Sequence, residues 1–209
     1  EQDGQRLYQD EGHGINDLAM HIKNLDIWFS LYIPSLTDMQ KAMLKRCLIE
    51  VYGRFHISWE TDAAQLAPEE YPVFSDFYQM IEEKATAEPD AVIYRELMNL
   101  LYDVVLGADS FIWNGHSTIE SHSRFLVMDT HALQEMGENI QRAQYFLIML
   151  YSWRMMSWDR EERLLFIADE AYLMVDQKVP QAMVYLRNMM KRARKYESAE
   201  GACTVHCGG

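Results

Sequence analysis

A chain of 209 residues, 49% hydrophobic and 24% charged, can bury a sizeable core, which excludes an intrinsically disordered polymer. Nineteen basic against thirty-two acidic side chains leave a net charge of −13, so non-specific binding to nucleic acid phosphates is not expected of this segment. Three cysteines are too few for a disulfide scaffold, and no apolar run approaches the roughly 20 residues of a membrane span.

Residues 1–14 are polar and glycine-bearing and read as a loop. Leu18, Ile22, Leu25, Phe29 and Tyr32 then recur at steps of three or four, the period of an amphipathic helix, which Pro34 ends. Thr37 and Gln40 stand in the capping-box relation, and Met39, Met43, Leu44, Cys47, Leu48 and Val51 carry a second helix to about Tyr52. Ser75 reads as the N-cap of a third helix with Phe77, Met80 and Ile81 inward. Pro89 opens a fourth, with Ile93, Leu97, Leu100, Leu101 and Val104 repeating before Gly107 stops it. Residues 15–122 are therefore expected to form a mainly helical subdomain.

The pattern changes after that. Phe125-Leu126-Val127-Met128 is a short apolar run that ends at Asp129, and a long helix with Ile140, Ala143, Leu147 and Leu150 inward follows from about Glu138. Leu164-Leu165-Phe166-Ile167-Ala168 is a second apolar run, ending at Asp169 and Glu170, and Pro180 begins a last helix to about Tyr196. Strand, helix, strand, helix is the order of a parallel α/β unit buried on both faces, here residues 123–197. Residues 198–209 read as an irregular tail. The fold class expected is α/β and helix-rich.

In parallel α/β folds ligands sit beyond the carboxyl ends of the strands, where Asp169 and Glu170 would stand. One carboxylate there can hold a magnesium shell and the next can orient an attacking water, the logic of a Walker B segment. On its own an apolar strand ending in Asp-Glu is common and is more often an ordinary strand end. Asp129 could line the same crevice or serve a cap or turn. Arg187, Lys191, Arg192, Arg194 and Lys195 make a basic stretch that suits either phosphate contacts or the C-terminal end of a helix dipole. Cys203, His206 and Cys207 lack a nearby fourth ligand and make a poor zinc pattern. No Gly-x-Ser-x-Gly elbow occurs, and the methionines and tryptophans read as packing groups.

Four stretches, in order, carry a family resemblance: residues 29–38 (Phe-Ser-Leu-Tyr-Ile-Pro-Ser-Leu-Thr-Asp), residues 107–115 (Gly-Ala-Asp-Ser-Phe-Ile-Trp-Asn-Gly), residues 166–171 (Phe-Ile-Ala-Asp-Glu-Ala) and residues 191–196 (Lys-Arg-Ala-Arg-Lys-Tyr). Together they resemble the type IV secretion and conjugation ATPases, the TraC/TrbE-like branch of the FtsK/HerA P-loop motors. The resemblance implies a helical insertion followed by a partial RecA-like core. It implies ATP and Mg²⁺ as cofactors of the intact protein, with Asp169 holding the metal through water and Glu170 polarising the hydrolytic water. Arg192 and Arg194 would reach nucleotide phosphates, Arg194 as the favoured catalytic arginine.

The resemblance further implies a homo-oligomer, a hexamer, working with secretion channel and coupling proteins. It would lie in the cytoplasm, peripherally on the inner face of the cell membrane, and power conjugative DNA transfer or secretion. The 209 residues contain no Gly-Lys pair, so the Walker A loop is expected upstream of Glu1 and the segment is expected to be inactive alone. The stretch after Tyr196 departs from the family's apolar strand and sensor glutamine, and reads as a frameshifted or artificially ended strand. The alternative is a helical protein-interaction module of the same apparatus, without activity of its own.

Overall fold

The Thr37–Gln40 capping box forms as the spacing requires: the Gln40 N–H donates to Thr37 Oγ1 at 3.2 Å, and the Thr37 N–H donates to Gln40 Oε1 at 2.9 Å. It starts helix α2 (Asp38–Arg54). The computed structural model describes residues 17–87, 91–117, 119, 125–158, 167 and 187. Among them are α1 (Asp17–Tyr32), α2, α3 (Phe74–Ala87), α4 (Ala91–Val105), the one-turn α5 (Ser110–Trp113) and α6 (Glu138–Trp158). They fall in two units, one within Ile15–Asp26 and Ser35–Met128, the other within Ile27–Pro34 and Asp129–Gly209. α1 contributes its first ten described residues to one unit and its last six to the other.

The larger described unit is helical throughout. α2 packs on α3 and α4, α3 packs on α4, and α5 closes against α4. Met80, Ile81, Leu97, Leu101 and Val104 are wholly buried, with Met43, Leu44, Cys47, Leu48 and Val51 from α2 beside them in the core set. These are among the periodic positions of the sequence; of the others, Met39 is 64% exposed, and Ile93 and Leu100 are only half-buried. The rim between α2 and α3 is charged: Lys84 Nζ meets Glu50 at 2.9 Å, and Arg54 meets Glu83 at 2.7 Å and Glu50 at 3.4 Å. The hydrogen bond to Glu83 holds the Arg54 guanidinium proton still more firmly than usual.

α2 ends in a Schellman turn. Ile57 N–H reaches back to Tyr52 O at 2.9 Å and His56 N–H to Gly53 O at 3.0 Å. His56 therefore sits at φ 61°, the left-handed conformation that usually selects glycine, and Ile57 is buried behind it. At the end of α4 both Leu106 N–H and Gly107 N–H converge on Tyr102 O. A Cβ on Gly107 would lie 2.7 Å from Asp103 Cα, so only glycine fits this close approach.

In the second unit Trp28, Phe29, Leu31, Tyr32 and Ile33 are buried, as are Ala143, Tyr145, Phe146 and Met149 of α6. Trp28 stacks on Tyr32 and meets Phe29 edge-on. The inward face of α6 differs from the expected stripe: Ala143 is buried, but Ile140, Leu147 and Leu150 are only half-buried. α6 is apolar on most sides, so its periodicity could not choose a face.

Two further expectations change. Helix α3 begins one residue before Ser75, with Val73 in the N-cap position, its N–H donating to Asp76 Oδ2 at 2.8 Å. Residues 125–128 form no strand, and Phe125, Leu126 and Val127 are 80%, 47% and 69% exposed. No strand occurs among the described residues, and an apolar run by itself does not make a strand, which needs a sheet to pair with. Of the second apolar run only Ile167 is described, and it is exposed; the last expected helix, Arg187 apart, lies outside the described residues.

Three outcomes are expected. His56→Gly should raise unfolding free energy by about 1 kcal/mol, and Gly107→Ala should lower it by about 1–3 kcal/mol, both read by urea denaturation. Burial, aided by nearby Tyr71, raises the Tyr52 phenol well above its ordinary 10.0. Above that value the unfolded chain releases a proton that the folded chain keeps, so stability falls as pH rises. Alkaline titration of stability should therefore show a steeper loss for the native protein than for Tyr52→Phe.

Candidate functional site

Two of the family-like stretches lie wholly among the described residues, and both organise helix ends. Residues 29–38 close α1 and open α2. Pro34 has no N–H to continue the helix, and the orphaned Tyr32 carbonyl accepts from Asn139 Nδ2 at 2.9 Å. Ile33 N–H still bonds Phe29 O at 2.8 Å, and the capping box follows at Thr37.

Residues 107–115 make a corner. Gly107 O accepts from the Ser110 hydroxyl at 2.7 Å and from the Ser110 N–H at 3.3 Å, which starts the single turn of α5. Asn114 N–H then bonds Ser110 O at 2.9 Å, which turns the side chain back toward α3 and α4. Asn114 Nδ2 donates to Val105 O, the last carbonyl of α4, at 3.0 Å. Asn114 Oδ1 accepts the Ser75 N–H at 3.0 Å, and the Ser75 hydroxyl lies 3.1 Å from Oδ1 and 2.7 Å from Nδ2. One amide thus satisfies an orphan acceptor at the end of α4 and an orphan donor at the start of α3. Sequence reasoning missed this role, although the Asn-Gly step pointed to a turn.

The residues proposed for chemistry, Asp169, Glu170, Arg192 and Arg194, lie outside the described residues. Asp129 is described: its Oδ1 accepts the His131 N–H at 2.8 Å and starts a 3-10 turn, His131–Glu135. Of the roles open to Asp129, the described residues show the turn. The tail residues Cys203, His206 and Cys207 also lie outside the described residues, and no cluster of three metal-ligating side chains occurs among those described.

A groove of about 490 Å³ runs between the first turns of α2 and α4, with Met39, Met43, Val92 and Ile93 on its walls. Gln40 Nε2 donates to Glu96 Oε2 across it at 3.1 Å. It has apolar walls and a single carboxylate already engaged, which offers neither an acid–base pair nor a phosphate grip. No helix among the described residues is long and apolar enough to cross a membrane.

Comparison with known proteins gives a consistent picture. No protein-family model matches the chain, and no curated protein does. Among solved structures, the chain is similar to VirB4 of Thermoanaerobacter pseudethanolicus, with 38% identity and a TM-score of 0.82 over 90% of this chain. The chain spans 49% of that protein, about half its length. Identity and shape agree over nearly all of the 209 residues, which is far more than a shared arrangement of helices requires. The neighbour at 38% identity over 90% of the chain is thus VirB4, a type IV secretion system ATPase, which matches the family that the four motifs resemble.

Proposed function

We propose that this chain is the part of a type IV secretion ATPase that carries a helical insertion and the Walker B acids of a RecA-like core. The observation that carries the reading is the 38% identity to VirB4 across 90% of the chain, together with the Asp-Glu pair at the end of an apolar run. The core is residues 123–197 and the insertion residues 15–122. The whole protein hydrolyses ATP with Mg²⁺ as a homo-oligomer, a hexamer, on the inner face of the membrane. It works with channel and coupling proteins to drive conjugative DNA transfer or secretion.

The donor chemistry fits a hard divalent cation, since Asp169 and Glu170 offer carboxylate oxygens, the ligands that magnesium prefers. Magnesium held there would supply positive charge beside the transferred phosphoryl group. Asp169 would hold it by accepting hydrogen bonds from its water. Glu170 orients the attacking water and accepts its proton. Arg192 and Arg194 donate to phosphate oxygens, a task suited to a fork of donors that stays charged. The phosphate cradle is not among these 209 residues, which contain no Gly-Lys pair, and it comes from the rest of the protein.

Two measurements test this. In the whole protein, Glu170→Gln should lower ATP turnover by about 10²–10⁴-fold while nucleotide binding persists, as expected for loss of a general base. Asp169→Asn should weaken the magnesium dependence as well. The 209-residue chain alone should show only background turnover. Unchanged turnover in Glu170→Gln, or rapid hydrolysis by the chain alone, would overturn the assignment.

A further inference from the structure

Asn114 is followed by Gly115, the single Asn-Gly step in the sequence, and this is the step most open to attack of a backbone nitrogen on a side-chain amide. The corner described above blocks that attack in three ways. Both polar atoms of the Asn114 amide are engaged, by Ser75 and by Val105 O. The attacking group, the Gly115 N–H, is itself donated to Trp113 O at 3.1 Å. Asn114 is held at φ −86° and ψ 80°, and ψ must change before Gly115 N can reach the side-chain carbon.

We infer that Asn114 is a latent deamidation site, kept intact by the α3–α4 corner and exposed to reaction only when that corner opens. Gly115 N gives up its proton to solvent base and attacks Asn114 Cγ; the Cγ–Nδ2 bond breaks, and Nδ2 takes a proton from solvent and leaves as ammonia. The resulting five-membered imide is opened by water at one of its two carbonyls, giving aspartate or isoaspartate. Nothing is oxidised or reduced, and water is the one co-reactant.

The product does not fit the corner equally at both ends. An aspartate keeps an acceptor for the Ser75 N–H, and a negative charge suits the start of α3. It loses the donor to Val105 O and places a carboxylate against the carbonyl end of α4, where negative charge is unfavourable. Isoaspartate also lengthens the main chain by a methylene inside a tight turn. Conversion therefore loosens the end of α4 irreversibly, and its rate in the folded protein follows the population of the open corner.

The test uses the 209-residue protein in mildly alkaline buffer, folded or in urea, with mass spectrometry of the peptide that contains Asn114. In the folded protein the Asn114 amide should be lost at least about tenfold more slowly than in urea, as an opening cost of a few hydrogen bonds requires. Ser75→Ala should raise the folded rate roughly fivefold, the population change expected when one such hydrogen bond is lost. Gly115→Ala keeps the fold, because a Cβ there meets nothing within 4 Å, and should suppress the reaction in urea as well. Equal rates folded and unfolded, no loss of amide at Asn114 in urea, or a folded rate indifferent to Ser75→Ala would each overturn the proposal. Circular dichroism of Ser75→Ala separates local opening from global unfolding: a faster reaction in a fully folded variant supports the corner as the gate, and one that appears only with global unfolding counts against it.

Discussion

Every helix leaves four donors at its start and four acceptors at its end without partners, and the described structure is arranged around supplying them. α2 carries its own solution in Thr37 and Gln40. α3 does not, because the side chain of Val73 has nothing to offer. Its first turn depends on Asn114, 39 residues further along the chain, which also serves the end of α4. The last carbonyl of α1 depends in the same way on Asn139, 107 residues away. Helix ends of this kind exist only when the fold already exists, so each side-chain amide ties local structure to packing.

Magnitudes show which forces set the fold and which adjust it. Burying Met80, Ile81, Leu97, Leu101 and Val104 contributes about 1.5–3 kcal/mol for each of the larger side chains. The exposed pairs of Arg54 with Glu50 and Glu83 contribute at most about 1 kcal/mol apiece, less after screening. Lys84 is more enclosed, with 17% of its side chain exposed, and its bond to Glu50 is the better shielded of these. The charged rim orients α2 against α3, and the apolar core holds them together.

The resemblance to the secretion ATPases rests partly on residues that have structural tasks. Residues 107–115 resemble the family and turn out to be a corner in which Gly107, Ser110 and Asn114 each have a structural task. Residues 29–38 likewise end one helix and start the next. A motif in such a family can therefore record a constraint of folding just as firmly as a constraint of catalysis. The Asp-Glu pair at 169 and 170 is proposed as one of the second kind, because adjacent carboxylates are groups that can hold a cation or a water.

Reading residues in order was enough to find the four long helices of the first half, because local signals mark several of their ends. Pro34, the Thr37–Gln40 pair and Gly107 act within one turn of themselves, and the three-to-four-residue apolar period selects the buried faces of α2, α3 and α4. The acids proposed for the site rest on a local signal too, as residue types at the end of an apolar run. Other features needed the folded chain. The face of α6 was undetermined because nearly all its sides are apolar, and residues 125–128 looked like a strand because an apolar run does not reveal whether a partner strand lies beside it. The start of α3 was misjudged at Ser75 because its true acceptor, Asn114, comes from a distant part of the chain. Local order follows from atoms a few bonds apart, whereas the choice of face, partner and distant cap is made by contacts that only packing brings together.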